Sequence, residues 1–185
     1  MTEASNEKNI SLRHALPTLA YRAAKTLRNA PGGFLDFRPG PGSRSAGEIL
    51  AHLGELMEWA VSQARGEERW HDLETRSWEL DSQRFFAALS NLDEYLASDA
   101  VLHVRPEKIF QGAIADSLTH VGQIALLRRL ANAPVLGENY SVAKIEAGRT
   151  GPDQVAPMKE FDCGRFAAGF PREGIFPRYL GQPNL

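Results

Sequence analysis

The feature that most constrains this chain is the stretch Ile109–Leu127, IFQGAIADSLTHVGQIALL. It lacks proline, its apolar residues recur at helical spacing, and its only charged side chain is Asp116. Successive helical residues turn by about 100°, so positions four apart share a face. Asp116 and His120 therefore project together, with Ile109, Ala113, Gln123 and Leu127 in the same sector. Phe110, Ile114, Val121 and Ala125 form a second sector, and Gly112, Ala115, Thr119, Gly122 and Leu126 a third of mostly small residues. A helix without a charged face is expected to be buried on most sides. A carboxylate in such a place needs a hydrogen-bond partner, a counter-charge or a metal. The question that carries the function is what Asp116 and His120 bind.

The rest of the chain sets the frame. At 185 residues it is long enough for one domain with a true core. A formal charge of −2 gives no general attraction to nucleic acid or to an anionic membrane. The single cysteine, Cys163, excludes an internal disulfide and fits a reducing compartment. The opening MTEASNEKN has neither the basic nor the apolar part of a signal peptide. No uncharged apolar run approaches the roughly 20 residues that span a bilayer. These features predict a cytoplasmic protein.

The periodicity predicts four helical segments. After a frayed lead-in over residues 1–8, Ile10–Asn29 carries the stripe Leu12, Leu16, Leu19, Ala20, Ala23 and Leu27, with Pro17 either kinking the helix or marking its start. Ser45 and Glu48 form an S-x-x-E capping box that opens a second helix ending at Gly66. His52 sits at the edge of its core face, beside Leu56 and Trp59 and flanked by Glu48 and Glu55. Gly66–Arg76 reads as a polar loop containing Trp70 and His71, and a third helix covers Ser77–Ser98. The fourth is the central stretch, closed by Arg128 and Arg129 at its negative end and by Pro134. The expected fold class is all-α, a four-helix bundle with long connections and an irregular C-terminal tail. Residues 1–147 make the bundle, with a short fifth helical piece over Ser141–Ala147. Residues 148–185 make a Gly/Pro-rich tail packed outside the same single domain, with Phe161, Phe166, Phe170 and Phe176 as anchors. His14, His71 and His103 read as ordinary surface residues, although His71, beside Trp70, would touch a substrate if that loop bordered a pocket.

Asp116 and His120 on one helix make a two-ligand clamp, and His52, inward on helix two, is the natural third ligand. Two imidazoles and a carboxylate bind Zn²⁺, Ni²⁺ or Fe²⁺ and leave positions open for water or substrate. The competing reading is a hydrogen-bonded pair that rigidifies the core. A ferritin-like di-iron site fits poorly, because it needs Glu-x-x-His on two helices, whereas Glu48 and His52 are four apart and no second such pair exists. No nucleophile elbow, P-loop or dinucleotide fingerprint occurs, so the catalytic residues themselves stay unknown.

Over Leu12–Arg149 the chain resembles the DinB-like, YfiT-like superfamily of metal-dependent four-helix bundles. The resemblance is carried by RSAGEILAHLGELMEWA (Arg44–Ala60) and DSLTHVGQIALLRRL (Asp116–Leu130). It implies a divalent ion, Ni²⁺ or Zn²⁺ foremost, with Fe²⁺ or Mn²⁺ as alternatives. The ion would be held by one histidine on helix two and two histidines four apart on the last bundle helix. His52 and His120 match two of these, while Asp116 stands where the middle histidine falls. The resemblance implies a small-molecule substrate, chemistry with a low-molecular-weight thiol (S-transfer or isomerisation) or hydrolysis, and a homodimer. The net charge and the lack of a spanning apolar run separately predict no nucleic-acid or membrane partner. Glu48 or Glu55 would orient an imidazole, and Gln123 would contact substrate. The alternative is a non-catalytic metal-binding or stress-response bundle.

Overall fold

A computed structural model describes residues 3–67, 69–72 and 74–161. It is mostly helical, with α1 (Glu3–Leu27), α2 (Ala46–Arg65) and α3 (Trp78–Ala97). The fourth rod is composite: α4 (Pro106–Ile109), a π-turn (Phe110–Ile114) and α5 (Ala115–Leu130) succeed one another without interruption. α3 lies against α1 and α2, and α5 lies against the same two helices. One core fills the space between them, with Leu16, Leu50, Met57, Phe85, Leu89 and Ile124 fully buried. Each such side chain contributes about 1.5–3 kcal/mol relative to exposure. No helix among the described residues is long and apolar enough to cross a membrane.

α1 begins at Glu3, so the segment expected to fray is helical from its third residue, and Pro17 lies inside the helix rather than at its start. The capping box of α2 is complete: Glu48 N–H donates to Ser45 Oγ at 3.1 Å, and Ser45 N–H donates to Glu48 Oε2 at 2.8 Å. Gly66 ends α2 with φ 78°, and a Cβ there would meet the His103 side chain at 2.9 Å. Glycine is thus required twice over, by backbone hand and by space. The expected helical piece at Ser141–Ala147 is only a 3₁₀ turn, Tyr140–Val142.

Arg128 lies in the last turn of α5 as expected, and it is also buried against α1. Its guanidinium donates to Thr26 O (2.9 Å), Arg28 O (2.6 Å) and Asn29 O (3.1 Å). These are carbonyls at the C-terminal end of α1, the groups a helix leaves without partners. Arg128 Nε also donates to Ala133 O at 3.0 Å, so one side chain ties the ends of two helices together.

The tail is held by polar contacts over its described part. β1 (Gly137–Glu138) pairs antiparallel with β2 (Glu160–Phe161), Gly137 opposite Phe161. Phe161 is half exposed and so is no anchor, while Phe166, Phe170, Phe176 and Cys163 lie outside the described residues. Glu138 is buried against α1, where Tyr21 Oη donates to Oε1 at 2.5 Å and Lys25 Nζ to Oε2 at 2.8 Å. Lys25 also meets Glu160 at 2.7 Å. Further along, Thr150 and Ser90 share a hydrogen bond at 2.9 Å, which fixes the arm to α3.

This clasp titrates. Burial first, and then the hydrogen bond to Glu138, push the Tyr21 hydroxyl well above the usual tyrosine range. For Lys25 burial acts downward, but the Glu138 and Glu160 carboxylates outweigh it and the ammonium is held above its ordinary value. Both groups grip their protons more tightly folded than unfolded. Their stabilisation is therefore complete below about pH 10 and is lost as pH rises further. Lys25→Met, which leaves Glu138 buried without its cation, is expected to cost about 3–5 kcal/mol. Melting temperatures from pH 7 to 11 check both statements: the wild type should lose stability above pH 10, and Tyr21→Phe should flatten that slope.

Candidate metal centre

α2 and α5 run side by side, and their facing edges bring His52, Asp116 and His120 together. One ligand atom from each lies within 4.8 Å of the others. The imidazoles of His52 and His120 have centroids 4.9 Å apart and planes at 80°. His120 Nε2 stands 3.4 Å from Asp116 Oδ1. Two donors each about 2.1 Å from one ion, at the tetrahedral angle, stand about 3.4 Å apart. His52 completes the set after a small closing movement of side chains.

The tautomers suit this role. His52 Nδ1 is 2.8 Å from Glu55 Oε2, and His120 Nδ1 is 2.8 Å from Gln123 Oε1. The Glu55 carboxylate accepts, which favours the Nδ1–H tautomer of His52, and the same tautomer of His120 makes its contact with Gln123 Oε1 a hydrogen bond. In the neutral rings each Nε2 then presents a lone pair, as a metal requires. His52, Asp116 and His120 are thus a cluster that could hold a metal ion, and no other such cluster of three occurs among the described residues.

The π-turn explains where Asp116 sits. A π-turn takes an extra residue and so rotates the helix after it relative to the helix before it. Ile109 and Ala113 are fully buried, whereas Asp116, expected in their sector, is 46% exposed. The core line of α5 is Ser117, Val121, Ile124 and Arg128. Asp116 and His120 lie on the edge beside it, with His120 12% and His52 17% exposed. The expectation of a costly buried carboxylate is therefore corrected: Asp116 stands at a rim where water or an ion reaches it. The helix is likewise not buried on most sides, since Phe110, Thr119, Gly122 and Leu126 are all exposed.

The supporting residues divide. Glu55, buried, orients His52 as expected. Glu48 does not, because Arg38 takes both its oxygens at 2.7 and 2.9 Å and it also serves the α2 cap. Gln123 orients His120 and also lines a neighbouring cleft. Two tryptophans complete the His52 side: the Trp70 ring is 5.7 Å from His52 and 5.7 Å from Trp59. Trp59 was legible, two turns after His52 on the same face. Trp70 had no periodic signal, being a loop residue that only the fold carries to the site. His14, His71 and His103 are exposed and outside the cluster.

Comparison of the chain with protein-family models, with curated proteins and with solved structures finds no match.

Removing the groups that orient the imidazoles should weaken metal binding without abolishing it. Glu55→Ala and Gln123→Ala are each expected to lower Zn²⁺ affinity about 10–100-fold, measured by isothermal titration, with His14→Ala unchanged as the control.

Proposed function

We propose that this chain is a divalent-metal-dependent enzyme of DinB-like architecture that acts on a small molecule, by thiol transfer or isomerisation with a low-molecular-weight thiol. The observation that carries the reading is the convergence of His52, Asp116 and His120, from two helices, with ligand atoms within 4.8 Å and both imidazoles fixed through Nδ1. The all-α order of elements, with the trio on α2 and α5, is compatible with that architecture. A hard carboxylate beside two imidazoles accepts Ni²⁺ or Zn²⁺, and Fe²⁺ or Mn²⁺ as well.

When bound, such an ion supplies Lewis acidity and lowers the pKa of a thiol or water on it towards neutrality. The chain's own residues do the rest. Glu55 and Gln123 keep the two imidazoles aimed and in one tautomer. Asp116, at the exposed rim, adds a negative charge that offsets part of the ion's charge. Trp59 and Trp70 place aromatic surface beside His52. Three protein ligands leave room for a reacting group, which distinguishes a catalytic from a structural site.

Elemental analysis of protein purified without an affinity tag tests this reading, for the wild type and His120→Ala. The expected result is about one ion per chain, lost in the variant. The reconstituted wild type should then consume a chromogenic electrophile in the presence of cysteine or glutathione. Absence of metal after incubation with excess Ni²⁺ or Zn²⁺ would overturn the reading. A bound metal with no thiol-dependent turnover would leave the non-catalytic metal-binding bundle.

A further inference from the structure

We infer that the cleft beside His120 is a binding site for a small organic carboxylate with an apolar body, whose anionic end is received by Arg44. The cleft has a volume of about 430 Å³, within the range of small-molecule sites. Ile49, Leu126 and Leu127 give it carbon walls, His120 and Gln123 stand at one side, and Arg44 stands on the loop that precedes α2. The inference rests on the metal-centre reading only for which end of the ligand reacts. The binding itself needs no ion.

The charge argument comes from how the neighbouring ions are used. Glu48 is the acid close to Arg44, yet Arg38 engages both of its oxygens, and the Ser45 N–H takes one of them again. Arg38 first, and then that backbone bond, hold the Glu48 carboxyl below its usual range, so it stays ionised and committed. Arg38 and Glu48 cancel. Arg44 feels the Glu48 charge at longer range, but its exposed guanidinium makes no hydrogen bond or ion pair with the described residues and is open to a ligand. Asp116 does not line the cleft. A planar guanidinium beside a mostly apolar hollow matches a carboxylate that trails a hydrocarbon or aromatic chain. A neutral apolar molecule would leave Arg44 unused, and a multiply charged one would strand its charges on Leu126 and Leu127.

His120 gives the cleft its purpose. Its ring faces both the ligand cluster and the cleft. Because His120 and Arg44 line the same cleft, a molecule held there with its acid at Arg44 lies against the wall to which His120 belongs. The cleft then selects substrates that carry an acid at one end and a reactive centre at the other.

Titration of hexanoate, phenylacetate and the matching neutral amides, monitored by ligand-observed NMR, tests the inference. The proteins are the wild type with Zn²⁺, the same protein after chelation, Arg44→Gln and Leu126→Asp. The acids should bind the wild type with and without Zn²⁺. Loss of a charge-assisted pair should weaken them by about tenfold or more in Arg44→Gln. Leu126→Asp, which brings a like charge to the wall, should weaken them too, and the amides should bind far less than the acids. Equal binding of acid and amide, acid binding unchanged in Arg44→Gln, or no binding of any acid would each overturn the inference. Acid binding that needs Zn²⁺ and ignores Arg44 would also overturn it, by placing the carboxylate on the metal. Metal content of the same preparations is read separately, so failure of the cleft and failure of the metal centre are distinguishable.

Discussion

The seam between α2 and α5 is the contact on which the rest of this structure depends. It alone brings His52 of one helix within reach of Asp116 and His120 of another. The seam is narrow in its demands. His52 must stay at the edge of a helix whose inner face is Leu50, Leu53 and Met57, all fully buried. His120 must stay at the edge of a helix whose inner line is Ser117, Val121 and Ile124. Apolar burial sets the rotation of each helix about its axis, and the polar edges meet as a consequence. The same packing exposes Asp116 and keeps the imidazoles mostly buried, a mixture that suits an ion with an open side better than it suits a core hydrogen-bonded pair.

Polar side chains then lock the arrangement that the core sets. Arg128 reaches from α5 to the open carbonyls at the end of α1. The Glu138 clasp ties the chain after the helices back to Tyr21 and Lys25. On the other side Asp81 is fully buried, accepts from the Arg76 backbone N–H at 2.9 Å and meets Arg84 at 3.7 Å. Each is a buried charge with partners, and such groups are costly when a single partner is removed. They fix register rather than add large net stability. Around the cluster this matters directly, because Arg84 also donates to the carbonyl of Ala51, the residue before His52.

The cluster and the cleft share His120, and Gln123 serves both. One ring joins a place suited to an ion and a place suited to an organic acid, and one amide holds that ring. The candidate site is therefore built from the outer edge of α5 and the first half of α2, with Trp59 and Trp70 beside His52. This site lies next to the π-turn, the one irregularity in the fourth rod. Without the extra residue, Asp116 would join Ile109 and Ala113 in the core.

The sequence by itself determined the elements whose cause is local. Periodic leucines gave the helices, the Ser45 and Glu48 box gave the start of α2, and Gly66 gave its end. It also set Asp116 and His120 one turn apart on one helix, a pattern of helical rotation, whereas the packing of α2 on α5 brought His52 to them. The features that only the tertiary structure decided lie at longer range or in a break of that rotation. The π-turn moved Asp116 from an expected interior to a rim, because the sector assignment assumed 3.6 residues per turn throughout. Glu48 left the site for Arg38, a residue ten positions away in a loop. Arg128 served the end of α1 as well as its own, and Trp70 came to His52 from a polar loop. Spacing along a chain fixes which side chains share a face, but it holds no information on which distant face or loop is brought against them.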